Sequence, residues 1–421
     1  MKKIIMKFLL MAVIFAVGIP LASANAFSPS FSLNRSIQQP MLTDEILATK
    51  EFNESKAVYL SDKYGENYLE LFARNAQSSK NAQKIESLFP VDKDGERIYP
   101  GFVGGLYIND EDNLVVQIVE NAVPNVKTSE YSLYNDVLSV DKEATIEYVK
   151  YSYAELNAVN DAIVEPFLQN KVPSSVGAFY VDVINNRIVV ELLNYTEEEI
   201  AKFKNTVIDS PFITFTKGVE TISTLNAGAP NTVGGSVGYR ARKTSGGQGF
   251  VTHGHGLSVN NIITGIGVVR NKNFGGNIDA SWVDTNGYTA TPTNNWQVYP
   301  PYITPTGSLS TVVKTSFVVG ERVGRVAMAS GHRTGQILNA NWSGQVRECS
   351  TCSLVNFTRQ VFTDVYQIPG DSGGIVYYTI PPLPPFPEGH LTAGIGVFEN
   401  ANRMIFTRAD LVNATFGLSR Y

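Results

Sequence analysis

Residues 368–374 read Ile-Pro-Gly-Asp-Ser-Gly-Gly and lie between two β-type runs, DVYQI (364–368) and IVYYTI (375–380). A serine set among glycines in a tight turn presents its hydroxyl with little side-chain crowding. The same turn lets backbone N–H groups point inward, as stabilisation of an oxyanion requires. A polar turn between strands would use the same residue types. The choice rests on whether the chain also supplies a base and an orienting carboxylate, because a serine hydroxyl alone is a weak nucleophile.

Working outward, the composition from about Asn226 to the end is dominated by Gly, Thr, Ser, Asn and Val. Short β-type runs recur between turn residues: SVGYRARK, GFVTHG, IITGIGVV, SWVDT, TSFVVG, GRVAMAS, DVYQI, IVYYTI, TAGIGVF and RMIFTRA. Many short strands at close spacing predict an all-β sandwich or barrel. Ala409 to Leu418 reads as a closing helix. The segment IPPLPPFPEGH (380–390) cannot be a central strand, since proline lacks the ladder N–H, and reads as a connection between strands.

The chain has four histidines, and two of them stand in GFVTHGHG, residues 249–256. As a metal pair, His253 and His255 would lack a third and fourth ligand nearby. As a base, either needs an acid downstream. Asp279, in the run N-I-D-A-S-W-V, and Asp284, at a D-T-N-G turn, are the candidates.

Taken together, GFVT-x-GH, then N-I-D-A-S-W-V, then PGDSGG resembles the chymotrypsin-like serine peptidases, in particular the secreted bacterial branch with the streptogrisins and α-lytic protease. The resemblance implies a domain of two antiparallel β-barrels. It implies that His255 is the base, that His253 takes the place of the usual alanine, that Asp279 orients the base, and that Ser372 is the nucleophile. The order His255, Asp279, Ser372 differs from the subtilisin and α/β-hydrolase orders. Backbone N–H groups of Gly370 and Ser372 would form the oxyanion hole. One wall of the substrate pocket would be Tyr366, Gln367 and Ile368, and the other Val397, Phe398 and Glu399. Glu399 is placed either at the pocket mouth, favouring a basic side chain, or as an exposed strand-end carboxylate. Two features depart from the family. Gly256 stands where a cysteine often follows the histidine, and Asp371 has two candidate partners, Arg325 and Arg333.

The N-terminal half has a different character. Lys2, Lys3 and Lys7, the apolar run Phe8 to Ile19 and small residues up to Ala26 predict a signal peptide over 1–26. Residues 27–225 predict a small α+β region. Helices are expected over Thr43–Phe52, Ser61–Asn75, about Ser139–Leu168 and Thr196–Lys204. FVGGLYINDEDNLVVQIVE (102–120) and VGAFYVDVINNRIVVELL (176–193) each read as strand, turn, strand, and look like a degenerate internal repeat. The second of these, with its following helix, resembles the pro-regions of the same family. That implies a folding aid and intramolecular inhibitor, released by cleavage near Ser223 to Asn226, with residues 226–421 as the peptidase domain.

Two cysteines, Cys349 and Cys352, are too few for a zinc site and in a secreted setting predict a small disulfide clip. The net charge of −5, with 34 basic and 39 acidic residues mixed along the chain, gives no nucleic-acid signature. The expectation is a secreted serine endopeptidase made as a zymogen. It would act on protein or peptide substrates, with no cofactor, no metal, and no membrane contact after the signal is removed. The competing expectation is a secreted binding or surface protein with an inactive domain of the same fold.

Overall fold

The two hairpins read from the sequence each nucleate one α-β-β-α-β unit. A computed structural model describes residues 68–421, apart from 94–95, 124–127, 224–234, 289–291, 297–306, 349–350, 381–388 and 401–402. The expected signal peptide and the helix Thr43–Phe52 lie outside the described residues. The first unit is α1 (Tyr68–Leu88), β1 (Val103–Ile108), β2 (Leu114–Val119), α2 (Ser129–Val140) and β3 (Thr145–Val149). The second is α3 (Tyr153–Leu168), β4 (Val176–Asp182), β5 (Arg187–Leu192), α4 (Glu197–Thr206) and β6 (Ile213–Lys217). In both, an antiparallel hairpin is followed by a helix that returns the chain parallel to the hairpin's second strand. A parallel return needs such a crossover. Asp112 and Asn186 take left-handed conformations in the two hairpin turns, as short polar side chains tolerate.

The helix expected across Ser139–Leu168 is in fact two helices with a strand between them. α2 stops at Val140. Thr145–Val149, rich in β-branched and aromatic residues, pairs with β2. Ser152 then starts α3 with a reciprocal capping box to Glu155. α1 also continues thirteen residues beyond the Asn75 expected, to Leu88. Each unit has its own core, one around Ile85, Phe102 and Ile118, the other around Phe167, Phe179 and Phe203.

A short strand, β7 (Thr221–Ser223), ends this half. The C-terminal half then forms β8 (Arg240–Lys243), β9 (Gln248–Thr252), β10 (Ile262–Ile263), β11 (Gly267–Gly275) and β12 (Ile278–Asp284). With the terminal β21 (Leu418–Ser419) these make a six-stranded sheet in the order β10-β11-β12-β9-β8-β21. β13 (Asn295–Trp296) and β14 (Gly307–Ser308) pair with each other. β15 (Arg322–Ala327), β16 (Gly331–Arg347), β17 (Leu354–Tyr366), β18 (Ile375–Ile380), β19 (Gly389–Asn400) and β20 (Arg403–Arg408) follow. Their order is β15-β18-β19-β20-β17-β16, and β15 also pairs with β16, so this barrel closes. α5 (Ala409–Phe416) packs across it, and Tyr239, Trp282, Trp342, Phe398 and Val412 fill the core shared by the two sheets.

The N-terminal units are joined to the second barrel by backbone as well as side chains. β4 pairs with β16 at Phe179↔Ser343 and Ala178↔Gly344. β7 lies between β16 and β19. Arg322 binds the buried carboxylate of Asp112 through two hydrogen bonds of 3.0 and 2.8 Å. Asn339 donates to the Val181 carbonyl at 2.8 Å. No described helix is long and apolar enough to cross a membrane.

Phe179 is fully buried, meets Phe167 edge-on at 5.0 Å and lies on the strand that joins β16. Phe179→Ala is expected to cost about 3–5 kcal/mol in urea unfolding of the full chain carrying Ser372→Ala. A loss below about 1 kcal/mol would show that this junction does not stabilise the fold.

Candidate active site

The end of β9 and the start of β12 bring a histidine and a carboxylate together in the first sheet, and the turn between β17 and β18 carries the serine from the second. His255, Asp279 and Ser372 have no exposed surface. His255 Nε2 lies 2.8 Å from Ser372 Oγ, and Asp279 Oδ2 is hydrogen-bonded to His255 Nδ1. A carboxylate only accepts, so the neutral imidazole carries its proton on Nδ1 and leaves Nε2 free to accept from the serine hydroxyl. Asp279 Oδ1 accepts from the backbone N–H groups of Gly254 and His255 at 2.6 and 2.9 Å. The N–H of Asp279 donates to Thr407 Oγ1 on β20, at 3.2 Å. Asp284, the other candidate acid, is elsewhere: it ends β12, accepts from the N–H of Asn286, and faces Arg270 at 3.9 Å.

The serine turn is held from beneath by a second buried charge. Asp371 Oδ2 forms an ion pair with Arg325 at 2.7 Å, and neither side chain has exposed surface. Oδ1 accepts from the N–H groups of Ala329 and Ser330 at 3.1 and 2.8 Å, and Oδ2 from the Ser330 hydroxyl and the N–H of Ile368 at 2.7 and 3.0 Å. Of the two arginines considered, Arg325 is the partner, whereas Arg333 bonds the His332 carbonyl. Burial lowers the Arg325 pKa, and the facing carboxylate opposes this. Gly370 has φ +97, a conformation that favours glycine, and a Cβ there would stand 3.1 Å from that of Ala329.

The expected pocket walls do meet. Gln367 is buried between them and its side chain donates to the Phe398 carbonyl at 3.0 Å. Val397 and Phe398 are fully buried, and Phe398 also faces the His255 ring at 6.2 Å. Ile368 and Glu399 are partly exposed. Along the same edge runs β7, with Ser223 opposite Phe398 and Ile222 opposite Glu399. Cys352 is disulfide-bonded, and Cys349 lies outside the described residues. Among the described residues no three metal-ligating side chains cluster. Thr407, Ser330 and Ser236, whose N–H donates to the Ser372 carbonyl at 2.6 Å, were not foreseen. They are ordinary polar residues in β-type runs, and only the fold gives them a place.

Residues 37–141 match the family described as the Pro-like N-terminal domain, and residues 154–218 the Pro-like C-terminal domain. These ranges overlap the two α-β-β-α-β units. Streptogrisin-C of Streptomyces griseus is 28% identical over 247 residues, 55% of this chain and 50% of that protein. In these respects the chain is similar to serine peptidases of the streptogrisin type. It spans about half the length of streptogrisin-C. Among solved structures, the Nocardiopsis protease NAPase is 25% identical with a TM-score of 0.34, covering 44% of this chain and 90% of that one. Protease A of Thermobifida fusca is 22% identical with a TM-score of 0.34 and the same coverage.

The Asp371–Arg325 pair is the buried contact of the site that a substitution tests most directly. Arg325→Met leaves a buried carboxylate without its cation and is expected to destabilise the full chain by about 3–5 kcal/mol in urea unfolding. A change below about 1 kcal/mol would show that the serine turn stands without the pair.

Proposed function

We propose that the chain is a secreted serine endopeptidase made as a zymogen, with residues 27–225 as its pro-region and 226–421 as its catalytic domain. The observation that carries this reading is the buried relay Asp279–His255–Ser372, in which each hydrogen bond points the proton the way acyl transfer needs it to go. Ser372 Oγ attacks the peptide carbonyl while His255 Nε2 takes its proton. Asp279 keeps the imidazole in the Nδ1–H tautomer and stabilises the imidazolium. The N–H groups of Gly370 and Ser372 hold the oxyanion. His255 then gives the proton to the leaving amine, and water, deprotonated by the same ring, releases the acyl group.

Support for the zymogen comes from β7. A peptide substrate binds such a cleft as an added strand, and here the chain's own backbone already pairs with Phe398 and Glu399 of the pocket wall. The pro-region therefore acts as inhibitor by occupying the edge. It acts as folding aid through the β4–β16 pairing and the Asp112–Arg322 contact. A barrel built from non-local strand pairs folds slowly without such help. The clip between Cys349 and Cys352 and the signal peptide over 1–26 belong to the same reading, as does an extracellular location.

The intact mass of the secreted protein, wild type beside Ser372→Ala, tests it. The wild type is expected to lack everything before the region of Ser223 to Asn226, while the mutant keeps its pro-region. Equal trimming of both would remove Ser372 from the maturation step. With the pro-region removed in trans by wild-type enzyme that is then separated, Asp279→Asn is expected to lower kcat about ten-thousand-fold, because the amide stabilises the wrong tautomer of His255. A loss under about tenfold on a peptide library would sink the relay.

A further inference from the structure

His253 is a buried imidazole for which the proposed reaction has no use. It stands just past the end of β9, with no exposed surface, and its ring lies 4.4 Å from that of His255 at a tilt of 31°. Its Nδ1 is 2.9 Å from the backbone oxygen of His255. A carbonyl oxygen only accepts, so Nδ1 carries the proton and the base's own main chain is held by its neighbour. Nε2 is buried and has no hydrogen-bond partner among the described residues.

The far edge of the ring, Nε2 and Cδ2, lies beside the turn that carries Ser372. A Cβ at Gly373 would fall 3.2 Å from His253 Cδ2, and one at Gly235 only 2.4 Å from Nε2 and 2.7 Å from the Ser372 carbonyl oxygen. Both neighbours are glycines, and the ring fills the space that larger residues there would take. His253 thus spans from the main chain of the base to the main chain of the serine.

Its charge is fixed by the same enclosure. Burial, and next the positive charge His255 can carry, push the His253 pKa down to about 3, with Asp279 opposing and Lys272 adding a little. Nearby, Glu348 accepts from the N–H of Gly256. The ring therefore stays neutral across the range in which His255 must gain and lose a proton, and an aromatic face near a cation stabilises it.

We infer that His253 is a positioning residue for the base: a wedge between the His255 strand and the Ser372 turn that holds the His255 carbonyl and presents its ring to the imidazolium formed in each turnover. This rests on the relay proposed above, and the tests separate the two ideas. If the wild-type enzyme cleaves no peptide and Ser372→Ala changes nothing, the relay itself fails.

The experiment is the pH profile of kcat and kcat/KM for the processed enzyme, on a fluorogenic peptide chosen from the library digest. His253→Asn keeps a donor near the position of Nδ1 and loses the ring. His253→Phe keeps a ring and loses the donor. In His253→Asn the acid limb of kcat/KM is expected to move to lower pH by roughly half a unit to one unit, because the imidazolium loses its aromatic neighbour. In His253→Phe the acid limb stays within about 0.2 unit of wild type, while kcat falls roughly tenfold with KM unchanged, as the base is no longer held. Acid limbs that coincide in all three proteins, or shift equally in both variants, would overturn the inference.

A second measurement does not depend on catalytic activity. Nitrogen-15 NMR of the histidines in the full chain carrying Ser372→Ala should show one imidazole that remains the neutral Nδ1–H tautomer from pH 4 to 9, and whose signal is lost in His253→Asn. If every histidine titrates in that range, His253 is not the neutral wedge inferred here.

Discussion

Asp279 is where the two β-sheets of the C-terminal half meet: its carboxylate is bonded within the first sheet and its main-chain N–H reaches the second. It has no exposed surface, and a buried charge without donors costs several kcal/mol. Its three donors, two N–H groups and a ring, all lie just past the end of β9, while the residue's own N–H donates to a threonine hydroxyl on β20. Thr407 in turn donates to Gln360 on β17 at 2.7 Å. A slip of one residue along β12 would put Ile278 or Ala280 in this place and leave the charge unanswered. The register of the first sheet and its docking on the second are thereby fixed together.

Asp371 plays the corresponding part on the other side of Ser372. Its four N–H and O–H donors and the Arg325 ion pair all serve a turn whose backbone passes through φ +97 at Gly370. Glycine takes that conformation readily, and opening the turn would strand a buried charge. The two carboxylates thus hold His255 and Ser372 from opposite sheets, with a 2.8 Å contact between them.

The parts of this arrangement that the sequence reveals are those whose chemistry is local. PGDSGG and GFVTHGHG declare themselves because glycines, a serine, an acid and two histidines at short spacing have few other uses. The two hairpins of the N-terminal half are legible for the same reason, as β-branched runs around Asp/Asn turns. What is not legible is set by distant partners. Arg325 and Arg333 look alike along the chain, and only the pairing of β15 with β18 directs one of them under the serine turn. β16 escapes notice because GHRTGQILNANWSGQVR has no clean alternation. The structure shows why: three register shifts against β17 reset which side chains face inward. The strand between α2 and α3 was hidden by the helical signals on either side, and β7 is too short to carry a pattern.

β16 also explains why the N-terminal units lie where they do. Seventeen residues of strand reach roughly 55 Å, more than a small barrel needs to close. β15 pairs with Arg322↔Gln336 to Ala327↔Gly331, at one end of β16. Residues 343–347 run on beyond it, and that free edge takes β4 and then β7. β19 offers a second open stretch at Phe398 and Glu399, also taken by β7. Unpaired edges of this kind invite pairing with other chains while a protein folds. Yet a cleft that binds peptides as an added strand must leave such an edge open in the end. Covering it with a segment of the same chain, joined through residues just beyond the β7 strand, meets both demands in sequence. In the zymogen proposed above, the edge would be closed while the barrel forms and become available once the covering segment is cut away.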